Sequence, residues 1–312
     1  MAATQEVACT GERADNRPVR TLVKALRPEQ WVKNLFVLAP LLFARRLGDV
    51  EATSRTLLAF AAWCAMASAV YLGNDLLDRR EDQAHPEKRH RPIASGALPP
   101  GLAVVSAASL GAAAIGIAAL GIAPGSGLGF LSLLLGYAGV NAAYSLGLKR
   151  VVILDVMLIA SGFVLRVLGG AAAAGVYASP WILVCTGLLA LFLGFAKRRQ
   201  ELVRTTETGT PGRAVLVHYD LPFLDVVQSV LAGATLIAYT LYTVAPHTVA
   251  SVGDHRMLLT APLVAHGLLR YLWIIHVGGG GENPTKIALS DRGTVLTVLA
   301  WVGLSGALLY LA

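Results

Sequence analysis

The chain has 312 residues, of which 55% are hydrophobic and only 14% are charged, and its mean hydropathy is +0.61. So few charged side chains around so large an apolar mass argue against a water-soluble enzyme, a nucleic-acid-binding domain or a disordered scaffold, and they favour a lipid bilayer. The formal net charge of +7 is then explained by basic residues sorted to one side of the membrane, and we expect no nucleic-acid partner.

Nine runs of mostly apolar residues follow one another along the chain, each close to the length of about 20 residues that a helix needs to span a bilayer. Their approximate bounds are 31–47, 56–77, 101–122, 127–147, 151–172, 179–196, 222–245, 257–276 and 293–311. We therefore predict an all-α membrane protein of about nine transmembrane helices. Residues 1–26 are interpreted as a short cytoplasmic tail and residues 27–312 as a single transmembrane domain. A homo-oligomer is compatible with this pattern.

The positive charges are strongly sorted between the two sides of this arrangement. Twenty of the 26 Lys and Arg residues fall in the N-terminal segment and in the loops after the second, fourth, sixth and eighth runs, whereas four fall in the opposite loops. Because cytoplasmic loops carry the excess of Lys and Arg, this predicts a cytoplasmic N-terminus and an odd number of spans. The long charged loops at 74–100 and 197–221 lie on that side, so we expect the active site there.

The end of the second run carries four side chains whose oxygen atoms can bind a metal. They are Asn74, Asp75, Asp78 and Asp82. At about 100° per residue the three aspartates share one helical face, where like charges repel unless a cation lies between them. Such hard oxygen ligands suit Mg²⁺, with Mn²⁺ as an alternative, holding a diphosphate. In the competing interpretation, Arg79 and Arg80 offset the acids at a solvated helix end.

Basic side chains occur in both long loops. Lys88, Arg89 and Arg91 follow the acids directly, and Lys and Arg contact phosphate oxygens well beside a metal. The loop after the sixth run carries Lys197, Arg198, Glu201, Arg213 and Tyr219. If both loops face one cavity, the first binds metal and diphosphate and the second binds a phosphate without a metal. Both basic runs are also typical of topology signals alone.

Ionisable side chains inside spans are costly and are candidate functional residues for that reason. Asp155 and Arg166 lie eleven residues apart, which returns to nearly the same helical face, so we predict that they line one wall of the cavity. An interhelical ion pair is the competing interpretation for Arg166. Tyr144 and Lys149 are expected to add a polar patch at the same membrane level, and Lys33 and Asn34, at the start of the first run, are expected to close the cavity.

These residues resemble the UbiA-type intramembrane prenyltransferases, which are nine-helix proteins with an NDxxDxxxD motif after the second helix. The motif corresponds here to the four candidate metal ligands, and the sequence RPIASG follows at 91–96. A typical member has a second aspartate-rich motif after the sixth helix, where this chain has KRRQE at 197–201. That departure, together with the opening RPEQWVKN at 27–34, resembles the phosphoribosyltransferase branch of the family.

The resemblance implies transfer of 5-phosphoribose from phosphoribosyl diphosphate (PRPP) to a polyprenyl phosphate such as decaprenyl phosphate, on the way to the arabinose donor of cell-wall arabinan. It implies that the three aspartates hold Mg²⁺ on the leaving diphosphate. The implied phosphate contacts are Lys88, Arg89, Arg91, Lys197, Arg198 and Arg213, with Glu201 and Tyr219 near ribose hydroxyls or orienting those cations. A multi-pass enzyme of the plasma membrane is expected, with its active site facing the cytoplasm.

Two other functions are open at this point. A classical prenyltransferase would join a prenyl diphosphate to an aromatic or quinone-type acceptor. In that reaction Asp75 and Asp78 would still bind the metal, but the basic loop at 197–221 would have no explanation. A transporter would use the intramembrane charges as an ion path, but transporter sites usually lie near the bilayer midplane, whereas these acids lie at a helix end.

Overall fold

The computed structural model describes residues 17–122, 127–209, 212–277, 287 and 290–311. These residues form helices, turns and loops without any strand, so the prediction of an all-α protein is confirmed. The α-helices are α1 (Arg17–Leu26), α2 (Ala39–Phe43), α3 (Val50–Leu77), α4 (Arg79–Ala84), α5 (Pro100–Gly116), α6 (Gly127–Leu146), α7 (Leu154–Ala174), α8 (Pro180–Thr208), α9 (Leu221–Val244), α10 (Pro246–Val252), α11 (Ala261–His276) and α12 (Arg292–Tyr310).

Eight helices within the described residues are long and apolar enough to cross a bilayer, so the chain is a multi-pass membrane protein. They correspond to the second through ninth predicted runs. The first predicted run, 31–47, differs, because it folds as a 3-10 helix over Pro28–Val37 followed by the short α2. The count of nine spans and the cytoplasmic N-terminus stay predictions. Residues 1–16 of the predicted tail lie outside the described residues, and residues 17–26 form α1.

Two features explain the irregular first segment. Pro40 has no backbone N–H, so it cannot donate the bond that a continuous α-helix would need there. The 3-10 helix also packs closely on α7, because a Cβ added at Gly170 would lie 1.9 Å from the carbonyl oxygen of Val37. Only glycine permits this approach of two backbones. In this arrangement Asn34 of the 3-10 helix is buried inside the bundle, and Lys33 is partly buried.

The bundle is packed inside and apolar outside. Trp63 is fully buried and lies in a cluster with Phe130, Leu134 and Tyr137. Large apolar side chains are nevertheless exposed on the outer surface, for example Leu120, which is 91% exposed. Water would penalise so much apolar surface, whereas lipid tails cover it without cost. The distribution therefore agrees with a membrane location.

The two longest helices position the polar residues. α3 has 28 residues and α8 has 29, whereas a bilayer needs about 20. In α8 the excess is the charged C-terminal part at 197–208, and an ion pair between Arg204 in this part and Glu87 after α4 joins it to the segment that follows α3. The 3-10 helix Leu148–Arg150, between α6 and α7, lies on the same side. This side is called the site face below.

Candidate active site

Asp75 and Asp82 lie buried at the site face and bind arginines from other segments. Arg27 Nη2 donates to Oδ1 and Oδ2 of Asp75 at 2.7 and 2.9 Å. Arg91 Nη1 donates to Asp75 Oδ1 at 3.1 Å and to Asp82 Oδ2 at 2.7 Å. Burial raises the pKa of Asp82, and the nearby positive charge of Arg91 opposes that shift. Because one nitrogen contacts both carboxylates, the two acids converge on a single positive centre.

Asp78 and Asn74 contact the connection between α6 and α7. Lys149 Nζ donates to Asp78 Oδ1 at 2.8 Å, and Ser145 Oγ donates to Asn74 Oδ1 at 2.7 Å. The four predicted metal ligands thus lie on one face, but their partners divide them into two pairs. The acids are paired with Arg27, Arg91 and Lys149, whereas neither Arg79 nor Arg80 pairs with an acid within the described part of the chain.

The donor chemistry of this face fits a divalent cation. Asp75 and Asp82 already direct hard carboxylate oxygens at one cationic atom, and these are the ligands that Mg²⁺ prefers. No group of three His, Cys, Asp or Glu residues among the described ones is arranged to hold a metal as it stands. The reason is visible in the ion pairs, since Asp78 is directed to Lys149. A cation at Asp75 and Asp82 would compete with arginine for the same oxygens.

Arg198, near the end of α8, is the centre of a second polar cluster. Its side chain is 1% exposed, and its Nε donates to Asp155 Oδ2 at 2.6 Å. Its Nη1 donates to Glu201 Oε2 at 2.8 Å, and its Nη2 donates to the Tyr144 hydroxyl at 3.4 Å. A buried guanidinium is very costly without such partners, and two carboxylates compensate this one. The arrangement gives Arg198 and Asp155 the geometry of positioning residues that hold Glu201 and Tyr144.

Arg213 and Tyr219 extend the second cluster. Arg213 Nη1 donates to the Tyr144 hydroxyl at 2.6 Å, and its Nε lies 3.3 Å from Glu201 Oε2. The Tyr219 hydroxyl donates to Asp155 Oδ1 at 2.8 Å. Burial raises the pKa of Tyr219 to about 12, so this hydroxyl stays protonated and remains a donor at neutral pH.

The loop after α4 lies next to the end of α8, since Glu87 forms an ion pair with Arg204. That both long loops face one cavity stays a prediction. Lys88 is partly buried; burial lowers the pKa of Lys88, and the nearby charges of Arg213 and Arg91 lower it further. Arg89 is exposed, and its Nε contacts His90 Nε2 at 3.4 Å, so the structure does not bring Arg89 into either cluster.

Arg166 lies deeper in the bundle and binds neutral groups. Its Nε donates to Asn34 Oδ1 at 2.7 Å, and its Nη2 donates to the Tyr137 hydroxyl at 3.1 Å. Its guanidinium carbon also lies 4.6 Å from the centre of the Tyr137 ring and 5.5 Å from that of Trp63. Hydrogen bonds and cation–π contacts thus stabilise this charge. The interhelical ion pair considered for Arg166 is not formed with any described residue, and Asp155 contacts different partners.

Two lysines of the predicted site have no such partner. Lys33 of the 3-10 helix and Lys197 of α8 lie close enough for each charge to act on the other. Neither forms a hydrogen bond or an ion pair within the part of the chain that the structure describes. Both are only partly exposed. They are therefore available to an anion that enters between these helices.

Arg27 is a site residue that sequence reasoning missed. Its backbone is left-handed, with φ of 55°, a conformation that is strained for any residue except glycine. Ser68 Oγ donates to the Leu26 carbonyl at 2.9 Å and accepts from Trp31 Nε1 at 3.0 Å, so contacts on both sides hold this bend. The bend directs Arg27 at Asp75. The available signal was its place at the start of the 27–34 motif.

Comparisons with known proteins identify the family and the fold. The model of the UbiA prenyltransferase family matches residues 35–283. A decaprenyl-phosphate phosphoribosyltransferase of Corynebacterium glutamicum is 35% identical over 287 residues, which cover 90% of this chain and 84% of that protein. One from Mycolicibacterium smegmatis is 34% identical over 303 residues, covering 94% and 93%. A solved UbiA homolog from Archaeoglobus fulgidus, bound to DMAPP and Mg²⁺, is 17% identical and shares the fold, with a TM-score of 0.68 over 94% of this chain and 100% of that one.

Proposed function

Since the chain belongs to the UbiA prenyltransferase family and is similar over most of its length to decaprenyl-phosphate phosphoribosyltransferases, we propose that it transfers 5-phosphoribose from PRPP to a polyprenyl phosphate, releasing diphosphate. The acceptor in this proposal is decaprenyl phosphate. The enzyme is then a pentosyltransferase of the membrane, although its family is named for prenyl transfer.

The main support for this proposal is the positive charge of the lysines around the end of α8. A prenyl diphosphate has a single diphosphate group, whereas PRPP has a diphosphate and a separate 5-phosphate, and the acceptor brings another phosphate. The acids beside α3 suit the diphosphate through a metal. Lys33, Lys88 and Lys197 supply positive charge where no acid compensates it fully, which suits phosphates that have no metal of their own.

The diphosphate site is assigned to the end of α3. Mg²⁺ is the proposed metal, with Mn²⁺ as an alternative, and its ligands would be Asn74, Asp75, Asp78 and Asp82. When bound, the metal stabilises the negative charge that develops on the leaving diphosphate. Arg27 and Arg91 already contact the same carboxylates, so their guanidinium groups are placed to donate to diphosphate oxygens as well.

The acceptor needs positioning more than activation. Its phosphate is ionised at neutral pH, so no general base is required. The bond from ribose C1 to the diphosphate oxygen breaks, C1 becomes oxocarbenium-like, and a lipid phosphate oxygen forms the new bond from the opposite face. The other proposed phosphate contact is Arg213, with Glu201 and Tyr219 orienting this cation or the ribose, whereas Arg198 holds Glu201 and Tyr144 in position.

The proposed location follows from the substrates. PRPP is water-soluble and made inside the cell, whereas the acceptor is a lipid, so the site face would meet the cytoplasm at the plasma membrane. The product would supply the polyprenyl-phosphoarabinose donor for cell-wall arabinan.

The test is transfer of label from ribose-labelled PRPP into the organic phase by the purified protein with decaprenyl phosphate, with and without EDTA. We expect labelling of the lipid that EDTA abolishes and that added Mg²⁺ restores. Absence of labelling, together with consumption of a prenyl diphosphate when an aromatic acceptor is supplied, would replace this proposal by classical prenyl transfer.

A further inference from the structure

Arg79 and Arg80 do not belong to the acid cluster beside them in the sequence. The acids bind Arg27, Arg91 and Lys149 instead. Arg79 and Arg80 line a separate cavity of about 340 Å³, together with Leu76, Leu77 and Gln83. None of the three aspartates lines it, so this cavity is distinct from the candidate active site.

The two arginines that line the cavity are not paired with a carboxylate of any described residue. Arg79 and Arg80 form no ion pair within the described part of the chain. The Nε atom of Arg79 is buried, and no atom of the described residues accepts its hydrogen bond. Buried donors of this kind are rare in folded proteins, because each one loses its hydrogen bonds to water. A bound acceptor would supply the missing partner.

The position of the cavity indicates where that acceptor comes from. Leu77 is the last residue of the apolar span Val50–Leu77 and is 64% exposed, so the cavity lies where the bilayer meets water. Its lining includes two leucine side chains and two guanidinium groups. A phosphate group attached to a lipid tail matches both kinds of lining residue, since a guanidinium group can donate two parallel hydrogen bonds to phosphate oxygens.

Helix α1 borders the same region and has the character of an interfacial helix. Its Leu22 packs in one apolar cluster with Leu76, which lines the cavity. On its outer side, Val19 and Val23 are 59% and 48% exposed beside the basic Arg20. Exposed apolar residues next to basic ones are typical of helices that lie in the headgroup layer of a membrane.

We propose that the cavity lined by Arg79 and Arg80 binds the headgroup of an anionic phospholipid of the surrounding membrane. The site is separate from the proposed reaction and does not depend on it. Each basic residue near an anionic membrane surface contributes about 1 kcal/mol. Loss of both charges is therefore expected to weaken lipid binding about 30-fold.

Native mass spectrometry of the detergent-purified full chain, titrated with phosphatidylglycerol, measures this binding. We expect wild type to retain phosphatidylglycerol in preference to phosphatidylcholine, and the double variant Arg79→Gln/Arg80→Gln to lose about 30-fold in affinity. Arg150→Gln/Arg292→Gln is the matched control, because it removes two exposed arginines away from the cavity. This control is expected to bind phosphatidylglycerol as wild type does.

Two further experiments test whether the effect comes from charge or from misfolding, and whether the occupant is a lipid or free phosphate. Arg79→Lys/Arg80→Lys keeps both charges and is expected to bind better than the glutamine variant; equally weak binding would overturn the role of charge. Millimolar inorganic phosphate is expected not to displace the lipid, and full displacement would overturn a lipid occupant. The proposal is also overturned if the glutamine variant binds as wild type does, or if phosphatidylcholine binds equally well.

Discussion

Replacement of Arg27 by alanine tests how the acids of the candidate site are held. Asp75 is 3% exposed, and the change would leave it with only the longer contact to Arg91, at 3.1 Å. A hydrogen bond to a charged group contributes about 1.5–3 kcal/mol, and loss of a buried partner adds desolvation cost. Because Arg91 remains, we expect Arg27→Ala to lower the free energy of unfolding by about 2 kcal/mol. Alanine has the same backbone strain at this position, so it brings no compensating gain.

Unfolding in detergent, followed by tryptophan fluorescence, measures this loss. The control is Arg256→Ala, because Arg256 forms a 2.6 Å ion pair with Asp254 in which both side chains are about half exposed. Exposed pairs contribute about 0–1 kcal/mol, so the control should be nearly neutral. With Mg²⁺ and PRPP present, the loss in Arg27→Ala should shrink, since the metal then compensates Asp75. Equal stability of Arg27→Ala and wild type without added metal would refute the assigned role of Arg27.

Three further predictions concern the site and the fold. Asp75→Asn and Asp78→Asn are each expected to abolish metal-dependent labelling of the lipid by PRPP, and full activity in either would remove that residue from the metal site. Lys197→Ala is expected to raise the KM for PRPP about tenfold, which corresponds to about 1.4 kcal/mol of binding free energy. The control Lys24→Ala, on the exposed side of α1, should not change the KM. An unchanged KM for Lys197→Ala would mean that this lysine serves only as a topology signal. Gly170→Ala should lower the free energy of unfolding by about 3 kcal/mol or more, because the added Cβ would overlap the Val37 carbonyl. Gly233→Ala is the control, because a Cβ at that position meets open space. Equal melting temperatures of the two variants would contradict this packing.

The spans were predictable because the bilayer imposes their length and apolarity. The run predicted at 151–172 is observed as α7, Leu154–Ala174. The end of α8 was not predicted, since a hydropathy pattern ends at residue 196 whereas the helix continues to Thr208. That extension is rich in charged and polar residues, so apolar periodicity does not reveal it, and three threonines near its end do not favour helix by propensity.

The irregular segment Pro28–Val37 lay beyond sequence reasoning for a different reason. Its course depends on the approach of its backbone to Gly170 of α7, more than 130 residues later. Neither apolar periodicity nor local helix propensity can predict a contact between residues so far apart in the sequence. The same segment carries Arg27 at its start and both Lys33 and Asn34 within it, so an error in its path is also an error in the site.

Asp155 shows most clearly what the spacing of residues along a helix cannot predict. Helical periodicity correctly placed Asp155 and Arg166 on α7, but it could not identify a partner on another helix. The partner of Asp155 is Arg198, which is buried in α8 with Glu201 as its second carboxylate. A basic α8 end that buries one guanidinium requires compensating negative charge nearby, because an unpaired buried charge costs several kcal/mol. The acid at 155 and the basic sequence at 197–201 are therefore one electrostatic unit: loss of Arg198 would leave the buried Asp155 carboxylate without its counter-charge, whereas loss of Asp155 would leave Arg198 with Glu201 alone.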